Sequence, residues 1–480
     1  MMMGDELAAR RLESAREEER SVEARSFEAL PRFHAQVAWT LLVRVLMAVA
    51  SVAAGVVVAR WLGADGLGKL AVLNVTAAMC VQVGSLGLPS ASVYFIARDR
   101  SRLASIALNS LVFAFLTGGL LALLIYLAAE ISPGLFGSVS PALLGLAAVS
   151  IPFQLVSLLG LNIFLALGRV VRFNFLELAG QLLLPINAAL ALMAFRAGLP
   201  LLVLLNTTAS VSLSLLIVFS LGQEIAARGV KAGRVRADTK LLKSMTGYGL
   251  KSHVAAMAGI LIFRADLLIV NHFRGAHEAG VYAVASQVSM MLMLLPGVVA
   301  TLLFPRIAAG DDACGKASAL ITRHTAFVML MVCLGSVPLS FLLPVFYGAQ
   351  FADAMTQLLI LLPGVYLVSI EAVMVQHFNA AGVPRAIPLF WIVTLAVNLT
   401  LTLLLVPGFG ARGAALSSSL SYALIFALVA LYFRRKTGRR LSEALVLRGE
   451  EMRELIESVR RRRNAPRVPE TLEEAGGSSS

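Results

Sequence analysis

Charge is scarce in this chain. Asp, Glu, Lys and Arg make up 14% of the 480 residues, while hydrophobic residues make up 58%. A soluble globular chain carries about 25% charged and about 45–50% apolar residues, so an ordinary soluble domain is excluded. Cysteine is equally sparse: Cys80, Cys314 and Cys333 are scattered, with neither a disulfide framework nor a metal-ligand spacing. The six histidines are dispersed and form no HExxH pair, and no Gly-x-Ser-x-Gly elbow stands in a plausible context. No catalytic or metal set survives, so the chain reads as a non-enzyme with no cofactor. It begins with a mixed-charge, helix-like segment containing Arg10, Arg11, Glu17, Glu18 and Glu19, unlike a cleavable signal peptide.

What is present is apolar length. The hydrophobic residues gather into runs of roughly 20, the length that crosses about 30 Å of hydrocarbon. Twelve spans are predicted: 37–59, 70–97, 104–128, 141–167, 174–195, 199–222, 248–270, 279–305, 320–346, 355–380, 386–406 and 412–433. Membrane β-barrels alternate apolar and polar residues and are excluded. The fold class is therefore an all-α polytopic membrane protein.

The net charge of +13 would suggest nucleic acid in a soluble protein. Here the basic residues sit in loops and tails, so orientation and anionic lipid are the better explanation, with no nucleic acid partner. With the N-terminus in the cytoplasm, inner loops hold Arg98, Arg100, Arg102, Arg169, Arg172, the cluster from Arg228 to Lys243, Arg306, Lys316 and Arg385. Outer loops would hold only Arg60, Lys69, Arg196, Arg274 and Arg412. That asymmetry predicts a protein of the cytoplasmic (inner) membrane with both termini on its cytoplasmic side. The longest polar break, 223–247, divides six-helix halves at 37–222 and 248–433, flanked by a charged segment 1–36 and a tail 434–480. In the tail, Arg434, Arg435, Lys436, Arg439 and Arg440 can meet anionic lipid, while Arg460 to Arg463 read as a solvated end.

A repeat links the halves. Val58, Gly63, Ala64, Gly68, Ala71 and Val72 return 212 positions later as Val270, Gly275, Ala276, Gly280, Ala283 and Val284. Leu155-Val156-Ser157 matches Leu367-Val368-Ser369 at the same offset, and Phe164, Ala166 and Gly168 match Phe378, Ala380 and Gly382 slightly further on. Six crossings is an even number, so the copies enter the membrane in the same sense. They are predicted to be related by a pseudo-twofold axis along the membrane normal, around a central cavity.

Two strings mislead. Gly310 to Ala317 nearly spells a phosphate-binding loop, but Ala317 stands where Ser or Thr must hold Mg²⁺. The glycosylation strings at Asn74, Asn206 and Asn398 fall within apolar spans and are chance matches.

Polar residues inside spans carry the functional signal. A charge at a helix centre costs about 2.5–3.5 kcal/mol on insertion scales, which favours the bundle interior or a wet cavity. Arg44 lies in the first span, Arg264 and Asp266 in the seventh, Glu177 in the fifth and Glu371 in the tenth. Arg264 and Asp266, two apart, point to different faces and cannot pair along one helix. Each of these residues has a structural reading, an interhelical ion pair or (for Arg44) snorkelling to the interface, beside the functional one. Asn74, Gln82, Ser286 and Gln287 fit a polar lumen or helix–helix hydrogen bonds equally. The methionines at 290, 291 and 293 fit flexible packing.

The stretch from Arg264 through Asp266, Gly275 and Gly280 to Tyr282 resembles the seventh-to-eighth helix region of polysaccharide (O-antigen type) flippases. Phe304-Pro305-Arg306 is similar to that family's usual end to the eighth helix, and Ala59-Arg60-Trp61-Leu62-Gly63 through Gly68 to its first turn. Arg274 departs from the family, which often has Leu before the turn glycine. The resemblance covers about 37–435 and implies the multidrug/oligosaccharidyl-lipid/polysaccharide exporter superfamily. It implies two six-helix bundles around a cavity and an oligosaccharide on a polyprenyl pyrophosphate as cargo. Arg44 and Arg264 would attract the anionic head, with Asn74 and Gln287 in the lumen. Asp266 would hold Arg264 or carry a coupling H⁺ or Na⁺, and Glu177 and Glu371 are further interior carboxylates. Glycosyltransferases or a glycan polymerase would be partners. A cation-coupled multidrug exporter shares the expected fold. A membrane-embedded glycan polymerase or ligase would need a large outer loop, and a non-transporting scaffold would leave the intramembrane charges unexplained.

Overall fold

The computed structural model describes residues 2–228, 236–306, 315–380 and 384–445, with the side chains of the first helix from Trp39 onward. The decoy loop from Gly310 to Cys314, Gly382, and the tail run Arg460 to Arg463 lie outside the described residues. In chain order the helices of the first half are α1 (Met2–Gly84), α2 (Leu88–Arg98), α3 (Leu103–Ile131), α4 (Pro141–Ala148), α5 (Ser150–Ala166), α6 (Val170–Ala188) and α7 (Gly198–Ala226). The second half has α8 (Thr239–Leu292), α9 (Leu294–Arg306), α10 (Lys316–Ser340), α11 (Leu343–Tyr347), α12 (Ala352–Met374), α13 (Gln376–Ala380), α14 (Ala386–Thr437) and α15 (Leu441–Leu445). No strand occurs among the described residues.

Nine helical segments among the described residues are long and apolar enough to cross a membrane. Their outward faces are apolar: Leu116 is 69% exposed, Leu404 70% and Phe409 70%. Such a surface suits lipid, where backbone groups must be satisfied within the helix. The protein is a multi-pass membrane protein.

Three segments are too long for one straight crossing. Trp39–Gly84 has 46 residues, His253–Ala300 has 48 and Ala386–Thr437 has 52. At 1.5 Å per residue each would extend about 70 Å or more, over twice the hydrocarbon thickness. Each breaks at one glycine in the left-handed half of backbone space: Gly63 (φ 69°), Gly275 (φ 84°) and Gly410 (φ 59°). A side chain there would crowd its own carbonyl, so glycine sets the bend. The polar turns expected after residues 59, 270 and 406 thus shrink to single-residue breaks. Gly198, with φ 76°, opens α7 and stands 212 positions before Gly410, a second matched pair of breaks.

Other boundaries move too. The expected span 70–97 is interrupted at Leu86 and Gly87, both at positive φ. The expected linker 223–247 is shorter, because α7 runs to Ala226 and α8 starts at Thr239, where the Asp238 side chain accepts a hydrogen bond from the Leu241 amide.

The two copies of the elbow touch back to back. A Cβ on Gly68 would run into the carbonyl oxygen of Ala276, and a Cβ on Gly280 into the carbonyl oxygen of Ala64. The partners are repeat equivalents, so the contact is reciprocal, as at a twofold interface. The same holds further out. Arg60 Nε donates to Phe346 O at 2.9 Å and its Nη2 to Val345 O, while His272, 212 positions after Arg60, lies 3.2 Å from Gly134 O through Nδ1. His277 Nδ1 stands 3.5 Å from Asp65 Oδ2, and Gln350 Oε1 accepts from the Ala64 amide at 3.3 Å. Remote from the elbows, a second seam pairs Gly87 with Gly249 and stacks Tyr94 on Tyr248 at 4.4 Å.

Candidate functional site: a cationic cavity between the two repeats

The elbow geometry aims both limbs of α1 and of α8 inward. Between them lies a cavity of about 390 Å³, also walled by α6, α7 and Leu294 of α9. Among the described residues two guanidinium groups line it, Arg44 from α1 and Arg264 from α8, and no carboxylate does. Asn74, Gln181, Asn206 and Gln287 supply neutral polar groups. A second cavity of about 460 Å³ opens inside the first half, and Asn74, Gln181 and Asn206 belong to both walls.

Arg44 is paired. Its Nη1 lies 2.8 Å from Glu177 Oε1 on α6, with the two side chains 35% and 23% exposed. This is the structural reading given for these residues, an interhelical ion pair, and it stands at a cavity wall. Asn174, one turn before Glu177, adds an Nδ2 to Thr40 Oγ1 bond of 2.8 Å that fixes α6 against α1.

Arg264 differs. It is exposed to the cavity and makes no hydrogen bond or ion pair among the described residues. In a membrane bundle an unpaired guanidinium is held at a wet wall because burial without a partner is costly. Gln287 bridges the halves: its Nε2 donates to Ser51 Oγ at 2.9 Å, and its Oε1 fills the space opposite Gly55. Asn74 is exposed into the cavity and has no side-chain partner among the described residues.

One expectation needs correction. Asp266 does not line the cavity, and although the Arg264 charge acts on its carboxyl, the two form no ion pair. Asp266 is 2% exposed, and its Oδ2 accepts from the Tyr282 hydroxyl and, at 2.9 Å, from Ser418 Oγ. Being two residues on, it faces the α8–α14 interior while Arg264 faces the cavity. Glu371 is 2% exposed within α12, lines neither cavity, and its Oε1 has no hydrogen-bond partner among the described residues. Helix α12 belongs to the most buried of the nine segments, and Glu371 lies in the bundle interior.

Residues not singled out beforehand also contribute. Ser51, Gln181 and Asn206 line the central cavity. Asn206 carries a discarded glycosylation string, and its position inside a span was the available signal. No group of three or more His, Cys, Asp or Glu able to hold a metal occurs among the described residues, and Cys80 and Cys333 are free and buried.

A sequence model for the family described as polysaccharide biosynthesis protein matches residues 57–356, more than half of the chain. This chain belongs to that family. The resemblance to polysaccharide flippases of the multidrug/oligosaccharidyl-lipid/polysaccharide exporter superfamily is borne out. Over 203 residues the chain is 26% identical to a Haloferax volcanii protein named probable low-salt glycan biosynthesis flippase Agl15. That match covers 40% of this chain and 42% of the relative, so less than half of the relative's length is spanned. Among solved structures, the lipid II flippase MurJ in an inward closed conformation aligns at TM-score 0.69 with 15% identity, over 90% of this chain and 93% of that one. An inward-facing multidrug resistance MATE family transporter of the MOP superfamily aligns at TM-score 0.67 with 14% identity, over 83% and 98%. At such identities the likeness concerns the fold alone.

Proposed function

We propose that this protein is a flippase that carries a polyprenyl-diphosphate-linked oligosaccharide across the cytoplasmic membrane by alternating access. The observation that carries this reading is a cavity between the repeats that, among the described residues, has two arginines, no carboxylate, and one arginine without an ion pair. A diphosphate and a hydroxyl-rich sugar cannot cross hydrocarbon unaided, since each desolvated polar group costs several kcal/mol. A cavity with guanidinium donors replaces that lost hydration, and the lipid tail stays in the bilayer. Arg264 is the primary phosphate ligand, because its donors are free. Arg44 is held in place by Glu177 and is the second.

In this reading the three glycine breaks turn nine long segments into twelve crossings, six in each half, about a pseudo-twofold axis. The Lys and Arg asymmetry puts both termini in the cytoplasm and the elbow end outside. The reciprocal Gly68–Gly280 seam is then the outer seal, and its release is the switch to an outward-facing state. Asp266, enclosed by Tyr282 and Ser418, is assigned coupling to H⁺ or Na⁺. Arg434, Arg435 and Lys436, in the last turn of α14, would face anionic headgroups. Glycosyltransferases supply the cargo and a glycan polymerase takes it onward.

Arg264→Ala, at matched protein level, is expected to lower surface-glycan export more than tenfold, and Arg264→Lys less. Full export by Arg264→Ala removes this residue from the mechanism. The fold shared with the MATE transporter favours one second reading, a cation-coupled multidrug exporter. That reading predicts drug resistance on overexpression and intact surface glycan on deletion.

A further inference from the structure

We infer that the chamber inside the first half is a saccharide subsite, in which amide side chains read the sugar nearest the diphosphate. The inference rests on the flippase reading and adds where the sugar sits and what recognises it. The chamber, about 460 Å³, lies within the range of about 300–1,000 Å³ typical of small-molecule sites. It adjoins the central cavity, with Asn74, Gln181 and Asn206 lining both spaces.

Charge sorts the ligand between the two spaces. Among the described residues the central cavity has two arginines and no acid, whereas Glu177 is the one charged side chain lining the chamber. An anionic diphosphate is drawn to the first and repelled from the second, while a neutral sugar is free to enter the chamber. The chamber's groups suit hydroxyls, which both donate and accept. Glu177 has one oxygen on Arg44, and its other, Oε2, is buried with no hydrogen-bond partner among the described residues. Gln181 and Asn74 have no side-chain bonds among the described residues. Asn206 uses its oxygen to accept from Asn187 Nδ2 at 3.0 Å, which leaves its own NH₂ to donate. Gln154 spends one donor on Ser150 Oγ at 2.7 Å and keeps its carbonyl oxygen. The chamber wall thus offers both acceptors and donors, which a lipid tail filling the same space would strand.

The test uses the full chain in nanodiscs with two probes, a polyprenyl diphosphate and the same lipid bearing one hexose. The hexose is expected to tighten binding about tenfold, the yield of one or two net hydrogen bonds. Gln154→Leu, which touches only the chamber, should erase that difference and leave the bare diphosphate bound as before. Ser210→Ala, a smaller change on the same wall, should reduce it two- to threefold. Retained binding of the bare probe certifies that a variant is folded. If the wild type binds neither probe, the flippase reading fails and takes this inference with it. If it binds both equally, or if the chamber variants weaken both probes alike, the subsite is wrong while the flippase reading stands.

Discussion

The first half of the molecule lays polar groups on cavity walls, whereas the second half encloses many of its own in helix packing. In the second half Tyr282 and Ser418 hold Asp266, Asn398 Nδ2 donates to Ser421 Oγ at 3.2 Å, and Thr402 lies 2.7 Å from Ser417. Ser419 Oγ even accepts from the backbone amide of Gly364 at 3.0 Å, where α12 and α14 approach too closely for a side chain on that glycine. Enclosure does not satisfy every group: Asn271 Oδ1, Tyr347 Oη, Gln357 Oε1, Ser369 Oγ, Glu371 Oε1, Thr394 Oγ1 and Asn398 Oδ1 are each buried with no hydrogen-bond partner among the described residues. In the first half Asn74 and Gln181 face open space, and Glu177 keeps one oxygen unused. The two copies share one scaffold and differ in whether polar groups are enclosed between helices or face open space.

The largest expected effect tests the part the halves share. Gly68→Ala and Gly280→Ala each drive a Cβ into a backbone carbonyl and should reduce export more than tenfold, in line with about 1–3 kcal/mol of overpacking. The reciprocity predicts similar losses, read by glycan export and by weaker cross-linking between cysteines placed at Asp65 and His277. A loss from one glycine alone would break the symmetry. Next comes a paired comparison. Thr402→Val, in the second half, should lower stability by about 1 kcal/mol in thermal unfolding. Gln181→Leu, in the first, should leave stability within about 0.5 kcal/mol and lower export instead. The opposite pattern would overturn the contrast between the halves.

The Arg44–Glu177 pair should show a smaller coupling. Because it is a third exposed, screening limits it to about 1 kcal/mol or less in a double-mutant cycle of Arg44→Ala and Glu177→Gln. The smallest effect lies at the junction before α3. Asp99 accepts from the Ser101 amide at 3.0 Å and the Ser101 hydroxyl at 2.6 Å, which together with Arg102 hold its carboxyl below the ordinary range. A lowered folded value means the cap is present above the usual carboxylate range and is lost as pH falls through the folded value. Hydrogen exchange at the Ser101 amide should rise with acidification in the wild type and be pH-insensitive in Asp99→Asn beyond intrinsic exchange.

Much of the frame was legible. The recurrence at Gly63 and Gly275 marked where long helices break, because a left-handed backbone leaves glycine at a fixed place in the string. The matching break at Gly198 and Gly410 was missed, since no side-chain motif surrounds it. Arg44, Asn74, Arg264 and Gln287 were recognisable as polar residues in apolar runs, and all four line the cavity. Their partners were not recognisable. Whether an acid two residues from Arg264 faces lumen or core depends on helix rotation, which periodicity inside a uniformly apolar helix does not fix.

Apolar run length, loop charge and the duplicated glycine string determined by themselves that this chain crosses a bilayer many times and is built from two like parts. These are properties of solvent transfer and backbone sterics, which act along the chain. Tertiary structure decided that Arg44 meets Glu177 across 133 positions, that Asp266 turns away to Tyr282 and Ser418, and that Arg264 is left unpaired at the cavity. Those outcomes follow from which helix faces oppose one another, and a contact between distant residues is fixed only when the helices pack.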